Sequence, residues 1–117
     1  MIKIHTVTLD NKIYNLGFKV VTEDLKSLGL DKNPTILKYS IGEWYFLPPN
    51  KLKKDKKGFG GIWVARTFPN AKKLEKYMQI TYSKKTRIFR AALDEILYFN
   101  DYRIKTNGIK MFEEILF

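Results

Sequence analysis

Tyr102-Arg-Ile-Lys-Thr-Asn-Gly-Ile-Lys-Met-Phe-Glu-Glu-Ile115 sets Asn107-Gly108 between two runs in which apolar and polar residues alternate. Asn-Gly accepts the positive φ values of a tight two-residue turn at little cost, so this stretch predicts a C-terminal β-hairpin over 102–115. A two-residue turn sets Thr106 opposite Ile109, Lys105 opposite Lys110 and Ile104 opposite Met111. Ile104 and Met111 then share the buried face, while Lys105 and Lys110, with Arg103 alongside, form a minor anion-contacting spot on the other.

Working outward from that hairpin, strand signals dominate the chain. Ile2 and Ile4 alternate with Lys3 and His5, and Val7 and Leu9 lead into Asp10-Asn11-Lys12 before Ile13-Tyr14, a second hairpin. Thr22 reads as the cap of a short helix over about 22–29, with Glu23 and Asp24 in its first turn, Leu25 and Leu28 inward and Gly29 at its end. Residues 35–40 and 43–47 read as strands that pair around Ile41-Gly42 and stop at Pro48-Pro49. Ile62–Ala65 suits a buried strand. From about 70 to 82, Ala71, Leu74, Tyr77 and Met78 recur at helical spacing, leaving Lys72, Lys73 and Lys76 on a solvent side. Residues 86–93 favour strand, although Ala91 to Tyr98 is open to a helical reading. The expected fold is one α+β domain over residues 1–117: a mostly antiparallel sheet, one main helix, one short helix and the C-terminal hairpin.

Charge is the main functional signal. The chain has a formal net charge of +10, and the stretch from Lys51 to Arg90 holds 13 Lys/Arg against only Asp55 and Glu75. The remaining residues are close to neutral, so the field is directional, and a polyanion is the commonest partner of such a field. Apolar residues make up 44% and aromatics 15%, enough for an ordered core. Cysteine is absent, which excludes disulfides, zinc-thiolate sites and cysteine nucleophiles. The N-terminal residues have no signal-peptide pattern and no stretch reaches membrane-span length, so a cytoplasmic, soluble protein without membrane contact is expected. The competing account of the lysines is an AT-rich coding sequence that inflates their number without a functional cause.

Residues 48–61 carry Lys51, Lys53, Lys54, Lys56 and Lys57 with Gly58, Gly60 and Gly61. Lysines for phosphates, glycines that admit close backbone approach and Phe59 as a stacking face suit an anion-binding loop, although the residue order is not that of a Walker loop. The plainer reading is a solvated loop that keeps the protein soluble. The bias continues through Arg66, Lys72, Lys73, Lys76, Lys84, Lys85 and Arg87. Arg87 and Arg90 have opposite parity, so one of them serves another role unless a bulge intervenes. Lysine outnumbers arginine, which favours point-charge phosphate contacts over bidentate base reading. In Trp44-Tyr45-Phe46, alternation sends at least one ring away from the core, and Tyr45 is the expected ligand-facing one if its neighbours pack inward. The single His5 makes no metal site, Ser40 and Ser83 have no partnering histidine pattern, and no cofactor is indicated.

The order of the Gly60-Gly-Ile-Trp-Val-Ala strand, the helix containing Ala71, the Arg87-Ile-Phe-Arg strand and the terminal Glu113-Glu114 strand resembles the later half of small ADP-ribosyltransferase-like domains. The resemblance covers about half the chain. It implies a nucleotide-dependent transferase with Glu113 or Glu114 as catalytic carboxylate, while Lys38-Tyr39-Ser40 is the nearest match to the early His or Arg position of such domains. The residues themselves favour a small non-enzymatic protein that contacts RNA or DNA backbone, a nucleoprotein complex or an acidic protein surface through 51–90. Its size fits a mobile-element accessory protein, such as an inhibitor of a host defence complex. A protein-interaction module with incidental lysines is the third reading.

Overall fold

The computed structural model describes residues 4–28, 36–57 and 59–116. Strands β1 (Thr6–Leu9), β2 (Lys12–Thr22), β3 (Trp44–Phe46), β4 (Ile62–Ala65), β5 (Thr86–Leu93), β6 (Ile96–Phe99), β7 (Arg103–Thr106) and β8 (Gly108–Ile115) form one antiparallel sheet, accompanied by helix α1 (Phe68–Tyr82) and a 3-10 turn at Pro49–Lys51. The sheet order is β3-β8-β5-β2-β4-β7-β6, and β1 pairs with the first part of β2. The α+β architecture read from the sequence is therefore the one observed.

The N-terminal hairpin forms as expected. Asp10 (φ 49°) and Asn11 (φ 64°) occupy the left-handed region, which their short polar side chains tolerate, and Leu9 pairs with Lys12 across the two-residue turn. Farther along, β2 pairs with β5 from Asn15 to Thr22 and meets β4 at Phe18 opposite Ala65. Gly17 lies beside that meeting point, where an added Cβ would sit 2.4 Å from Val64 Cγ2. A single residue, Asn107, joins β7 to β8, although β5, β2 and β4 lie between those two strands in the sheet. Four inter-strand steps span roughly 19 Å on a flat sheet, and two residues of chain reach only about 7 Å. The sheet must curl back on itself.

The curl makes two apolar layers. Inside it, Val21, Ile62, Val64, Phe89, Ala91, Leu93, Ile104, Ile109 and Met111 pack with Tyr39, none more than 3% exposed. On the convex face, α1 covers Val20, Ala65 and Ile88 with Ala71, flanked by Phe68 and Leu74. Thr67 caps the helix by accepting from the Asn70 amide, and Ser83 ends it in the left-handed region at φ 53°. The helix begins two residues before the expected start. Its inward stripe is Ala71, Leu74 and Met78, whereas Tyr77 lies off the stripe and is exposed.

Three local expectations are corrected. The terminal hairpin is β6–β7, turned by Asn100, whose Oδ1 accepts from the amides of Tyr102 and Arg103. At Asn107-Gly108 the chain instead passes between strands that do not pair: Ile104 lies opposite Val64 and Met111 opposite Ala91. Both still face the core, but Lys105 is fully buried and Lys110 reaches Asp10 at 3.9 Å, so the expected lysine pair does not form. Asn107 is held by the β5–β6 turn, accepting from Glu95 N at 2.7 Å and donating to Asp94 at 2.8 Å. Residues 22–28 form a turn, not a helix: Thr22 Oγ1 accepts from the Lys26 amide at 2.9 Å and Leu25 adopts φ 65°, a conformation that ends helical propagation. Gly29 lies outside the described residues. Finally, β3 pairs with β8, while Lys38 makes only an isolated bridge to Lys26, so residues 35–40 and 43–47 are not a hairpin. Residues 1–3 and Thr35, included in the expected strands, lie outside the described residues. Residues 91–98 are extended, in β5 and β6 around a tight turn.

Candidate nucleic-acid interface

The basic loop is anchored at its centre by its own acid. Lys105 on β7 has no exposed surface, and its Nζ donates to the Asp55 carbonyl at 3.0 Å and lies 3.4 Å from the Asp55 carboxylate. The same carboxylate accepts from the Lys57 amide at 3.0 Å, closing a small turn. Gly60, at φ 83°, packs on the Lys53 side chain and donates no Cβ to the crowd, and its carbonyl accepts from the Lys53 amide at 2.8 Å. Gly61 lies against the Lys105 stem, where a Cβ would meet Cγ at 2.5 Å. Thus the loop is folded down over a buried ammonium while Lys51, Lys53, Lys54, Lys56 and Lys57 remain exposed. Phe59 is exposed as well, with Lys57 Nζ 5.9 Å from its ring centre.

Strand geometry places this loop beside α1. Trp63 and Ala65 are two residues apart on β4 and share a face. Ala65 packs under the helix, and Lys105 is the register partner of Trp63, with Nζ 5.7 Å from its ring. The loop over Lys105 and the helix over Ala65 therefore occupy the same convex side. Lys72, Lys73 and Lys76 are exposed on α1, Lys72 lying 5.7 Å from the Phe68 ring. Lys84 and Lys85 follow the helix end and line an open cleft of about 540 Å3 with Thr22, Glu23, Asp24 and Ser83. Asp24 is held below the usual carboxylate range by hydrogen bonds from Thr22 and Lys26, so this cleft is of mixed charge.

The arginines are spent on structure. Arg87 makes a two-pronged ion pair with Glu114, at 2.9 and 2.7 Å, and also donates to the Glu23 carbonyl. That contact raises the guanidinium pKa and depresses the carboxyl of Glu114. Arg90 pairs with Glu113 at 3.0 Å on the opposite face, because β5 alternates and the register irregularity beside Arg90 does not turn the two arginines together. Arg66 reaches the Asp101 carbonyl and Arg103 stacks 4.0 Å from the Trp63 ring centre. Lysines differ: among the described residues, Lys54 meets Glu95 at 3.4 Å, but no carboxylate lies within 4 Å of the side-chain ammonium of Lys51, Lys53, Lys56, Lys57, Lys73, Lys76, Lys84 or Lys85.

Of the residues singled out from the sequence, the loop lysines, the α1 lysines, Lys84, Lys85 and Phe59 are surface groups. Arg87 is tied into its ion pair, and Tyr45 packs against the concave core instead of facing outward. Tyr45 turns toward the concave core and meets Tyr39 edge-on at 5.7 Å, whereas Trp44 and Phe46 stack on the outer side at 5.4 Å. Alternation fixes that neighbours oppose each other but not which side is core. Glu113 and Glu114 face opposite sides of the sheet, each occupied by an arginine.

Sequence reasoning overlooked a polar pair inside the curl. Lys19 is 7% exposed, donates to the Trp63 carbonyl at 2.7 Å and has its Nζ 5.5 Å from the Tyr39 ring centre. Burial lowers its pKa to about 8. The Tyr39 hydroxyl is buried without a hydrogen-bond partner among the described residues, and burial raises its pKa. The parity that Lys19 shares with Val21 was the available signal. Among the described residues, no helix is long and apolar enough to cross a membrane. No family model, curated protein or solved structure matches this chain.

Proposed function

We propose that this protein binds nucleic acid through its phosphate backbone, using lysines of the 51–60 loop and of α1 and reading no base sequence. The observation that carries this reading is the division of labour among cations. Arginine, the residue suited to bidentate base contacts, is consumed by Glu114, Glu113, a backbone carbonyl and Trp63. Lysine, a point charge suited to phosphate, is left exposed on two adjacent elements of one face. A loop present only for solubility has no need of a buried anchor, yet here the acid of the basic run is used to fasten it to Lys105.

Two clustered variants test the proposal. Lys53, Lys54, Lys56 and Lys57 all replaced by Ser, and separately Lys72, Lys73 and Lys76 replaced by Ser, should each weaken oligonucleotide binding at least tenfold. Thermal stability should stay close to that of the parent, because exposed charges contribute little to folding. Unchanged affinity in both variants would remove the proposal. A large stability loss in the loop variant would show that those lysine stems are packed rather than presented.

A further inference from the structure

We infer that the nucleic acid taken by this face is a single strand, whose unpaired bases stack on tyrosines of α1 and on Phe59; the inference rests on the nucleic-acid reading above. The basic segment exposes more than lysine. Phe59 is 52% exposed, Tyr77 47%, Ile80 72% and Tyr82 51%. Three of these belong to α1, whose inward stripe is filled by Ala71, Leu74 and Met78: Tyr77 and Ile80 lie on the side of Lys73 and Lys76, and Tyr82 is the last residue of the helix.

Helical spacing sets Tyr77 and Ile80 among charges. Lys73 and Lys76 stand four residues before Tyr77 and Ile80, hence one turn away on the same side, and Lys84 and Lys85 follow Tyr82. The Tyr77 and Tyr82 rings meet edge to face at 6.0 Å, so one edge supports the other and both keep open surface. On the loop, Lys57 and Phe59 repeat the pairing of cation and ring. A duplex offers phosphates but seals its base faces within the stack, so such rings have no open base to stack on. A single strand offers one phosphate and one open base face per nucleotide, which is the alternation of lysine and aromatic that this surface presents.

The experiment uses the full chain and four probes at low salt: a single-stranded oligonucleotide, the duplex of the same sequence, heparin as a polyanion without bases, and polyglutamate as an acidic polypeptide. The expected result is at least tenfold tighter binding of the single strand than of the duplex. Tyr77→Ala with Tyr82→Ala should lose about tenfold or more on the single strand, with heparin binding unchanged, and Tyr77→Phe should retain the parent affinity. Both tyrosines are exposed, and a melting curve shows that the variants fold. Equal affinity for single strand and duplex, unmoved by the tyrosine changes, overturns the inference while leaving backbone binding intact. Absence of binding to both nucleic acids overturns the backbone reading and this inference together, and tyrosine-dependent binding of polyglutamate alone assigns the face to an acidic protein.

Discussion

Lys19 carries its amine into the concave core, where the Trp63 carbonyl and the Tyr39 ring receive it. Burial disfavours the charged form and brings the pKa from 10.5 to about 8. Below pH 8 folded and unfolded chains both hold the proton, and the buried charge costs about 3 kcal/mol, the equivalent of that shift. Between pH 8 and 10.5 the folded protein releases the proton first, the unfolded chain binds more, and stability rises. Lys19→Met should therefore be more stable than the parent at pH 7, with the advantage shrinking by pH 10; denaturant titrations at both values check this, and a pH-independent difference would contradict it. Tyr39 acts in the opposite sense only above pH 10, where the unfolded phenol ionises first. Gly108 is the second decisive residue. The Phe46 ring occupies the space of its missing Cβ, at 2.3 Å from Cδ1, and its φ is not positive. Gly108→Val should lower stability by about 1–3 kcal/mol through overpacking, and Phe46→Ala in that background should recover part of the loss. No recovery in the double variant would place the strain elsewhere.

At the level of elements, the loop and its anchor set the expected phenotype. Asp55→Asn raises the net charge by one, which on charge alone should strengthen polyanion binding. It also weakens the hold on buried Lys105 and the turn at Lys57, releasing the loop. The expectation is weaker binding together with faster amide exchange at 53–57; stronger binding with unchanged exchange would mean that presentation by the anchor does not matter. The anchor was not legible in the sequence, because Asp55 and Lys105 are fifty residues apart and no local pattern links them. Local signals fared according to how local their partners are. Asp10-Asn11 joins strands that pair with each other, and its turn was legible. Asn107-Gly108 carries the stronger turn signal, but the Asn107 side chain is held by Asp94 and Glu95, and its flanking strands pair elsewhere. Thr22 was read as a cap and does cap, though a turn with Leu25 at positive φ instead of a helix. The lysine side of α1 followed directly from the period of 3.6 residues. Parity fixed that Tyr45 opposes Trp44 and Phe46, but the pairing of β3 with β8 decided which side is core.

The whole molecule is a curled sheet with a buried concave interior and a convex side carrying the helix and the anchored loop. Its radius of gyration is 13.2 Å, close to the ~13 Å of a compact domain of this length. Curling brings the loop after β3 and the helix after β4 onto neighbouring parts of one side, so lysines far apart in the sequence share it. Glu113 and Glu114 bind arginines, Asp55 holds the loop anchor and Asp94 the β5–β6 turn, while the lysines of the 51–57 run and of α1 are exposed. That arrangement predicts association governed by counterion release and insensitive to sequence. The most direct test is the affinity for several unrelated oligonucleotides measured from 50 to 300 mM salt. The expected result is a common slope of log affinity against log salt of about −3 to −6, as for five to eight lysine–phosphate contacts on a single strand, with affinities agreeing within a fewfold across sequences. A slope near zero, or binding confined to one sequence, would contradict it.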